Sequence, residues 1–198
     1  MKKRMHGFTL LEMMMVVAIA AIVLLIGVPS FTDFIRNARM TSAANDFLAA
    51  SHVARSEAIK RRDPVTVCTS ANALAGTPEC DPSADLTGWI VFVDDNADGA
   101  FDAGEALLQQ HAPIPPTISA RGTLDPLAIT YLGSGFAVSE VAAQILMCDA
   151  RGNRASAGEP SAARGITIAP TGRASVTRNV GEIAAIRNAI GSAVGGCT

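Results

Sequence analysis

Histidine is scarce in this chain, and neither the histidines nor the cysteines are spaced for a catalytic or zinc site. The three histidines are His6, His52 and His111, and their positions show no triad or zinc-ligand spacing. No two cysteines have C-x-x-C spacing, and Gly133-Ser134-Gly135 lacks the spacing of a nucleophile elbow. The sequence also contains no internal repeat. We therefore expect no enzymatic activity.

Positive charge is not in excess either. The chain has 16 Lys and Arg against 18 Asp and Glu, so it lacks the overall basicity of a dedicated nucleic-acid-binding protein. The charges are nevertheless uneven. Residues 63–125 contain ten acidic residues and one base, whereas residues 148–198 contain six arginines and three acidic residues. A local arginine patch can still bind phosphate groups through bidentate contacts.

A long apolar run near the start is the main feature that is present. It is unbroken from Met13 to Val28, and a helix from Phe8 to Val28 would be roughly 30 Å long, the thickness of a bilayer core. The basic residues 2–4 are expected to stay in the cytoplasm, so the remainder is exported across the inner membrane. A cleaved signal peptide is the alternative. However, residues 27–30 give no clean cleavage site, and Glu12 places a carboxylate in the run, which costs about 2.5–3.5 kcal/mol at mid-helix.

Residues 7–12, Gly-Phe-Thr-Leu-Leu-Glu, resemble the prepilin signature of type IV pilins and type II secretion pseudopilins. The resemblance implies that a prepilin peptidase cuts between Gly7 and Phe8 and methylates the new amine. It also implies that Glu12 meets the positive Phe8 amine of a neighbouring subunit in a filament. The alternative is that Glu12 snorkels to the membrane interface in a plain anchored protein.

The helix is predicted to continue beyond the membrane as an amphipathic segment that ends at Asp63-Pro64. Pro29 is expected to kink or locally melt it. The predicted apolar stripe consists of Phe31, Phe34, Ile35, Ala38, Phe47, Leu48, Ala54, Ala58 and Ile59. The expected organisation is a leader at 1–7, a transmembrane half at 8–28, an amphipathic half at 29–63 and a β-rich part at 64–198, with 29–198 forming one domain.

Short apolar or alternating runs after Pro64 predict antiparallel strands. The predicted strands are Val65–Cys68, Trp89–Val93, Ala106–Leu108, Ile129–Leu132, Ile145–Cys148 and Gly165–Ile168. Residues 69–87 and 149–163 are predicted loops. A long helix followed by strands is an α+β arrangement with the helix stripe on one sheet face. The resemblance to pilins implies the same fold.

Four cysteines in an exported domain predict two disulfides. Three connectivities are open. Proximity in sequence favours Cys68 with Cys80, which leaves Cys148 to pair with Cys197 near the C-terminus.

Three further segments resemble the FimT/FimU-type minor pilins and the minor pseudopilin GspH. They are Ala54–Arg62, Gly88–Asp94 and Pro170–Arg173. The tail from Val180 onward departs from that pattern, and Glu182–Ile190 is predicted to form a short helix.

Residues 94–105 have the full spacing of a calcium-binding loop. The ligand positions would be Asp94, Asn96, Asp98, Ala100 through its carbonyl, Asp102 and Glu105, with Gly99 at the sharp turn. Strands rather than helices are predicted on both sides, so a polar hairpin loop is an equal alternative. A bound Ca²⁺ would be structural, and no other cofactor is indicated.

A role for the arginines in DNA uptake also follows from the resemblance, because some FimT-type pilins bind double-stranded DNA through a Gly-Arg-x-Arg element. Gly172 and Arg173 match it, but Ser175 replaces the second arginine. The candidate DNA-binding residues are Arg164, Arg173 and Arg178. Solvent exposure or contacts to neighbouring subunits are the favoured roles of these arginines.

The sequence thus predicts a minor type IV pilin that primes or caps pilus assembly, with prepilin peptidase, the membrane and other pilins as partners. Its domain would be periplasmic, and extracellular once in a pilus. The alternatives are a DNA-binding minor pilin and a GspH-like minor pseudopilin of type II secretion.

Overall fold

The structure is a computed structural model that describes residues 8–154 and 160–197. The predicted leader, including Gly7 and His6, lies outside the described residues, as does part of the predicted 149–163 loop. The described chain divides into two compact units, one ending at Ala38 and one beginning at Arg39.

Helix α1 extends from Leu10 to Arg61. It begins at a capping box, because the Thr9 hydroxyl accepts from the Glu12 backbone N–H at 3.2 Å while a Glu12 carboxylate oxygen accepts from the Thr9 N–H at 3.4 Å. The helical conformation continues through Pro29, so the helix is not melted there. It ends where Arg62 adopts a φ of 64°.

The first unit exposes almost every apolar side chain that the structure describes in it. The 18-residue apolar window in α1 is 0 % buried, and α1 is the one described helix long and apolar enough to cross a membrane. Phe31 and Phe34 are 63 % and 68 % exposed. Their predicted place in the buried stripe is therefore wrong.

Within the described residues, eight strands and a second helix follow α1. They are β1 (Val65–Thr69), β2 (Trp89–Val93), β3 (Leu107–His111), β4 (Ser119–Gly122), β5 (Ala128–Tyr131), β6 (Ala143–Cys148), β7 (Arg164–Ile168), β8 (Ala174–Thr177) and α2 (Val180–Ile190). One antiparallel sheet has the order β3-β2-β1-β5 and the other β4-β6-β7-β8. All six predicted strands are present, and the short C-terminal helix is confirmed.

The second half of α1 forms one hydrophobic core with both sheets. Its buried apolar residues are Met40, Ala43, Ala44, Phe47, Ala50, Ala54 and Ala58. Trp89 and Tyr131 of the first sheet and Ile145 and Ile166 of the second pack with them. The sequence predicted that the helix packs on one face of a single sheet. The structure differs, because two sheets have apolar inner faces and both pack with the helix. Ile59 was also predicted to be buried, but it is 49 % exposed.

Two smaller apolar clusters lie outside this core, and a disulfide belongs to each. Cys68–Cys80 ties the 69–87 loop over Ile90 and Phe92. Cys148–Cys197 ties the C-terminal tail to β6, where Ile183 and Ile186 of α2 are also buried. This is the pairing that the sequence favoured.

Candidate functional site

Glu12 is the carboxylate that the structure places within the exposed apolar part of α1. Both its backbone N–H and its carboxylate bond to Thr9, which satisfies groups that a helix start otherwise leaves open. The Thr-x-x-Glu spacing in the sequence is a signal for this capping box, which the sequence analysis missed. The capping box means that Glu12 has a role within its own chain as well as the role predicted between subunits.

Arg55 joins two turns near the C-terminal end of α1. Its Nε donates to the Gly135 carbonyl at 2.9 Å, and its second guanidinium nitrogen donates to the Thr171 carbonyl at 3.2 Å. Gly172 has a φ of 75°, and a Cβ there would overlap the Gly135 carbonyl oxygen. The two turns therefore approach each other closely at Gly172, one residue before the exposed Arg173. Sequence spacing gave no signal for this contact, which joins residues 80 and 116 positions apart.

The 94–105 loop starts from a buried aspartate. Asp94 is 0 % exposed, and its carboxylate accepts from the Thr66 hydroxyl at 2.6 Å and from the N–H groups of Asp98 and Gly99 at 3.1 and 3.0 Å. Glu105 closes the loop by accepting from the N–H groups of Asp95 and Asp102. Burial, with added repulsion from two nearby aspartates, raises the pKa of Glu105.

Two further carboxylates of this loop, those of Asp98 and Asp102, also accept hydrogen bonds. Asn96 donates to Asp98 and Asp102 at 2.9 and 3.3 Å, and Asp98 accepts from the Ala100 N–H. Across the described residues, no three His, Cys, Asp or Glu side chains are placed so that they could hold a metal ion. These contacts make residues 94–105 a hydrogen-bonded polar loop, and Ca²⁺ binding there stays a prediction.

Arg164 was predicted as a DNA contact, and the structure contradicts this because the residue is 2 % exposed. Its guanidinium donates to the carbonyls of residues 161–163 and to the Thr41 hydroxyl of α1, the last at 2.9 Å. Burial, with repulsion from Arg178 and Arg151, lowers the pKa of Arg164 to about 10. The side chain remains charged at neutral pH and fastens α1 to the start of β7.

The other two DNA candidates lie at opposite ends of a strand. Arg173 precedes β8 and Arg178 follows it, and both residues are exposed. Arg178 Nε also donates to the Ser161 carbonyl at 3.3 Å. The three predicted arginines therefore do not form one exposed cluster.

His111 has a packing role. Its ring stacks on Trp89 with centroids 3.8 Å apart, and its Nδ1 lies 2.7 Å from the Ala112 carbonyl. Its Nε2 is 3.7 Å from the Asp46 carboxylate. This geometry stabilises the contact of β3 with α1.

Comparison with known proteins decides the family. A family model described as type II transport protein GspH matches residues 43–172, which cover both sheets except strand β8. The chain belongs to the GspH family. The model of the prokaryotic N-terminal methylation motif matches residues 2–28 of this GspH-family chain, the region of the predicted prepilin signature.

Solved structures of a minor pilin resemble this GspH-family chain. In one crystal form, the type IV minor pilin FimU of Pseudomonas aeruginosa (strain PAO1) has 21 % identity and a TM-score of 0.51, over 72 % of this chain and 91 % of FimU. A second crystal form gives 21 % and 0.48 over 69 % and 90 %. The comparison with curated proteins gives no significant match. The chain is thus a minor pilin or pseudopilin with a pilin-like α+β fold.

Proposed function

We propose that this chain primes or caps a type IV pilus by inserting the first half of α1 among the helices of neighbouring pilins. The observation that carries the proposal is the exposure of that half. Leu10, Leu11 and Leu25 are 70–78 % exposed, and the 18-residue apolar window contacts no core of its own chain. Such a surface needs a bilayer before assembly and other apolar helices afterwards.

The charge of Glu12 fixes how far the first half of α1 is shifted along the helix of a neighbouring subunit. After cleavage between Gly7 and Phe8, the methylated Phe8 amine carries a positive charge, and the Glu12 carboxylate of a neighbour is its natural partner in a medium of low dielectric. The leader is cytoplasmic and residues 39–197 are periplasmic until assembly, in accord with the basic residues at 2–4.

A pseudopilus of type II secretion is the second candidate, and the GspH family model favours it. The chemistry of assembly is the same in both filaments. The two differ in the partner subunits and in the process that fails without the chain.

The test is a count of surface pili in cells that lack this chain, with complementation by the wild-type chain and by Glu12→Ala. Loss of pili that only the wild-type chain restores is the expected result. Normal piliation with loss of protein secretion would instead support the pseudopilin role. Normal piliation and secretion after deletion would contradict both, and a transformation assay would then test DNA uptake.

A further inference from the structure

A groove of about 320 Å³ opens beside the outer edge of β5, and we call it the β5 groove. Its walls include the acidic loop at Asp98 and the segment after β5 at Val138, and its lining includes Ala128, Thr130 and Ala143. The backbone N–H of Val138 donates to the Thr130 carbonyl at 2.9 Å. The groove is therefore built on ordered backbone rather than on a free loop tip.

Apolar surface continues from this groove onto its rim. Val138 is 50 % exposed, and Phe136, two residues away, is 53 % exposed. Leu132, whose N–H donates to the Phe136 carbonyl at 2.8 Å, is 38 % exposed. Large exposed apolar side chains that lie together commonly mark a contact with another protein.

The charged residues that line the β5 groove are both acidic. Asp98 and Asp125 line it, and no Lys or Arg of the described chain does. Among the ion pairs found in the described residues, none involves a carboxylate of the 94–105 loop. Backbone N–H groups bond to these carboxylates, but they do not neutralise their formal charge. The raised pKa of Glu105, caused by burial and by repulsion from Asp94 and Asp102, agrees with a local excess of negative charge.

We propose that the β5 groove binds a segment of a neighbouring filament subunit that carries an Arg or Lys beside an apolar side chain. The apolar side chain would cover Val138 and Phe136, and the cation would lie against Asp98 and Asp125. A side-chain cation fits better than a metal ion, because the described carboxylates are not grouped for metal binding. The inference rests on the proposed assembly role and names the chemistry of one subunit contact.

The experiment places the photo-crosslinking residue benzoylphenylalanine at Phe136 of the full-length chain in piliated cells. An aromatic replacement at a position that is 53 % exposed should not disturb packing. We expect a crosslink to a pilin-type subunit, mapped by peptide sequencing to a segment that contains Arg or Lys. Crosslinks only to lipid, only to proteins outside the filament, or none at all would overturn the inference.

Charge and apolar contact are then tested separately. Asp125→Lys should lower the crosslink yield at least about fivefold, since it places like charges together. Glu79→Lys is the matched control, because Glu79 is exposed in the same acidic region but does not line the groove. Val138→Ser should also lower the yield. Val141→Ser should not, because Val141 is 68 % exposed and lies outside the groove lining. Equal yields in each variant and its control would overturn the inference.

Failure of this inference can be separated from failure of the proposed function. If deletion and Glu12→Ala abolish filaments while the Phe136 crosslink reaches no subunit, the assembly role stands and the groove contact is wrong. If filaments form normally without the chain, the proposed function itself fails, and a Phe136 crosslink to a pilin-type subunit can no longer count for the inference.

Discussion

Phe34 and Phe47 lie on the same helix, yet the first is 68 % exposed and the second 1 %. The difference is typical of the two halves of α1. Large apolar side chains before Ala38 are mostly exposed, whereas the buried apolar side chains from Met40 onward pack with two sheets of their own chain. Hydrophobicity alone does not distinguish them. The second half has its partner within the chain, and the first half must find its partner in a membrane or another subunit.

The largest expected difference in domain stability comes from replacing each of these two phenylalanines by alanine. Phe47→Ala should destabilise the domain by about 3–5 kcal/mol, because it leaves a cavity beside Trp89, whose ring lies 5.3 Å away. Phe34→Ala should change domain stability by less than about 0.5 kcal/mol. Denaturant unfolding of the full chain in detergent, followed by fluorescence of its single tryptophan, measures both. Equal losses would mean that the two halves do not differ as described.

Both disulfides lie in the unit that begins at Arg39, which contains the packed half of α1. Replacing Cys148 and Cys197 by Ser should cost about 4 kcal/mol, and replacing Cys68 and Cys80 about 3 kcal/mol, because the first pair closes a longer loop. The same unfolding measurement tests the order. A larger loss of unfolding free energy for the Cys68 and Cys80 pair than for the Cys148 and Cys197 pair would contradict this prediction.

Thr41 lies near the start of the buried half of α1. Its hydroxyl accepts a hydrogen bond from the buried Arg164. Thr41→Val should cost about 1–3 kcal/mol, because a charged donor loses its acceptor. Since Arg164 has a pKa of about 10, it stays charged across the neutral range, and the loss should be the same at pH 6 and pH 8. Thr77→Val, at an exposed loop position, is the control. A loss that differs between the two pH values would argue against this hydrogen bond as the cause.

The smallest effect concerns the end of the buried half. Arg62 has a φ of 64°, a conformation that glycine adopts without strain. Arg62→Gly should therefore stabilise the domain by about 0.5–1 kcal/mol. Arg61→Gly, one residue earlier and still helical, should destabilise it by about 1 kcal/mol. Thermal unfolding measures both variants. If the two midpoints move in the same direction, the assignment of the helix end is contradicted.

The local sequence pattern was enough to predict a strand when all of its residues are buried. Strand β2 was found with its correct bounds because all five of its residues are buried and apolar or aromatic. Strands β4 and β8 were missed, since Ser-Ala-Arg-Gly and Ala-Ser-Val-Thr show neither an apolar run nor a clear alternation. Without them, the second sheet and its cover by α1 could not be predicted.

The candidate sites show what spacing leaves undetermined. The 94–105 segment has the ligand order of a calcium loop, but the order does not say whether the oxygens converge or accept from N–H groups, as Asp94 and Glu105 do. Arg164 looked like a surface arginine because burial depends on distant partners such as Thr41. The prepilin signature is different, because it consists of residues next to one another, and the methylation-motif model matches the same region; cleavage between Gly7 and Phe8 stays a prediction.

The proposed function requires that the first half of α1 acts between subunits and that Glu12 carries its charge there. The most direct measurement is the fraction of full-length chain recovered with sheared filaments for the wild type, Glu12→Gln and the control Glu79→Gln. Glutamine can replace glutamate in a capping box, but it cannot pair with the Phe8 amine as a charge. We expect Glu12→Gln to stay in the membrane and the control to enter filaments like the wild type. Normal recovery of Glu12→Gln with filaments would show that Glu12 only caps its own helix, and would contradict the claim.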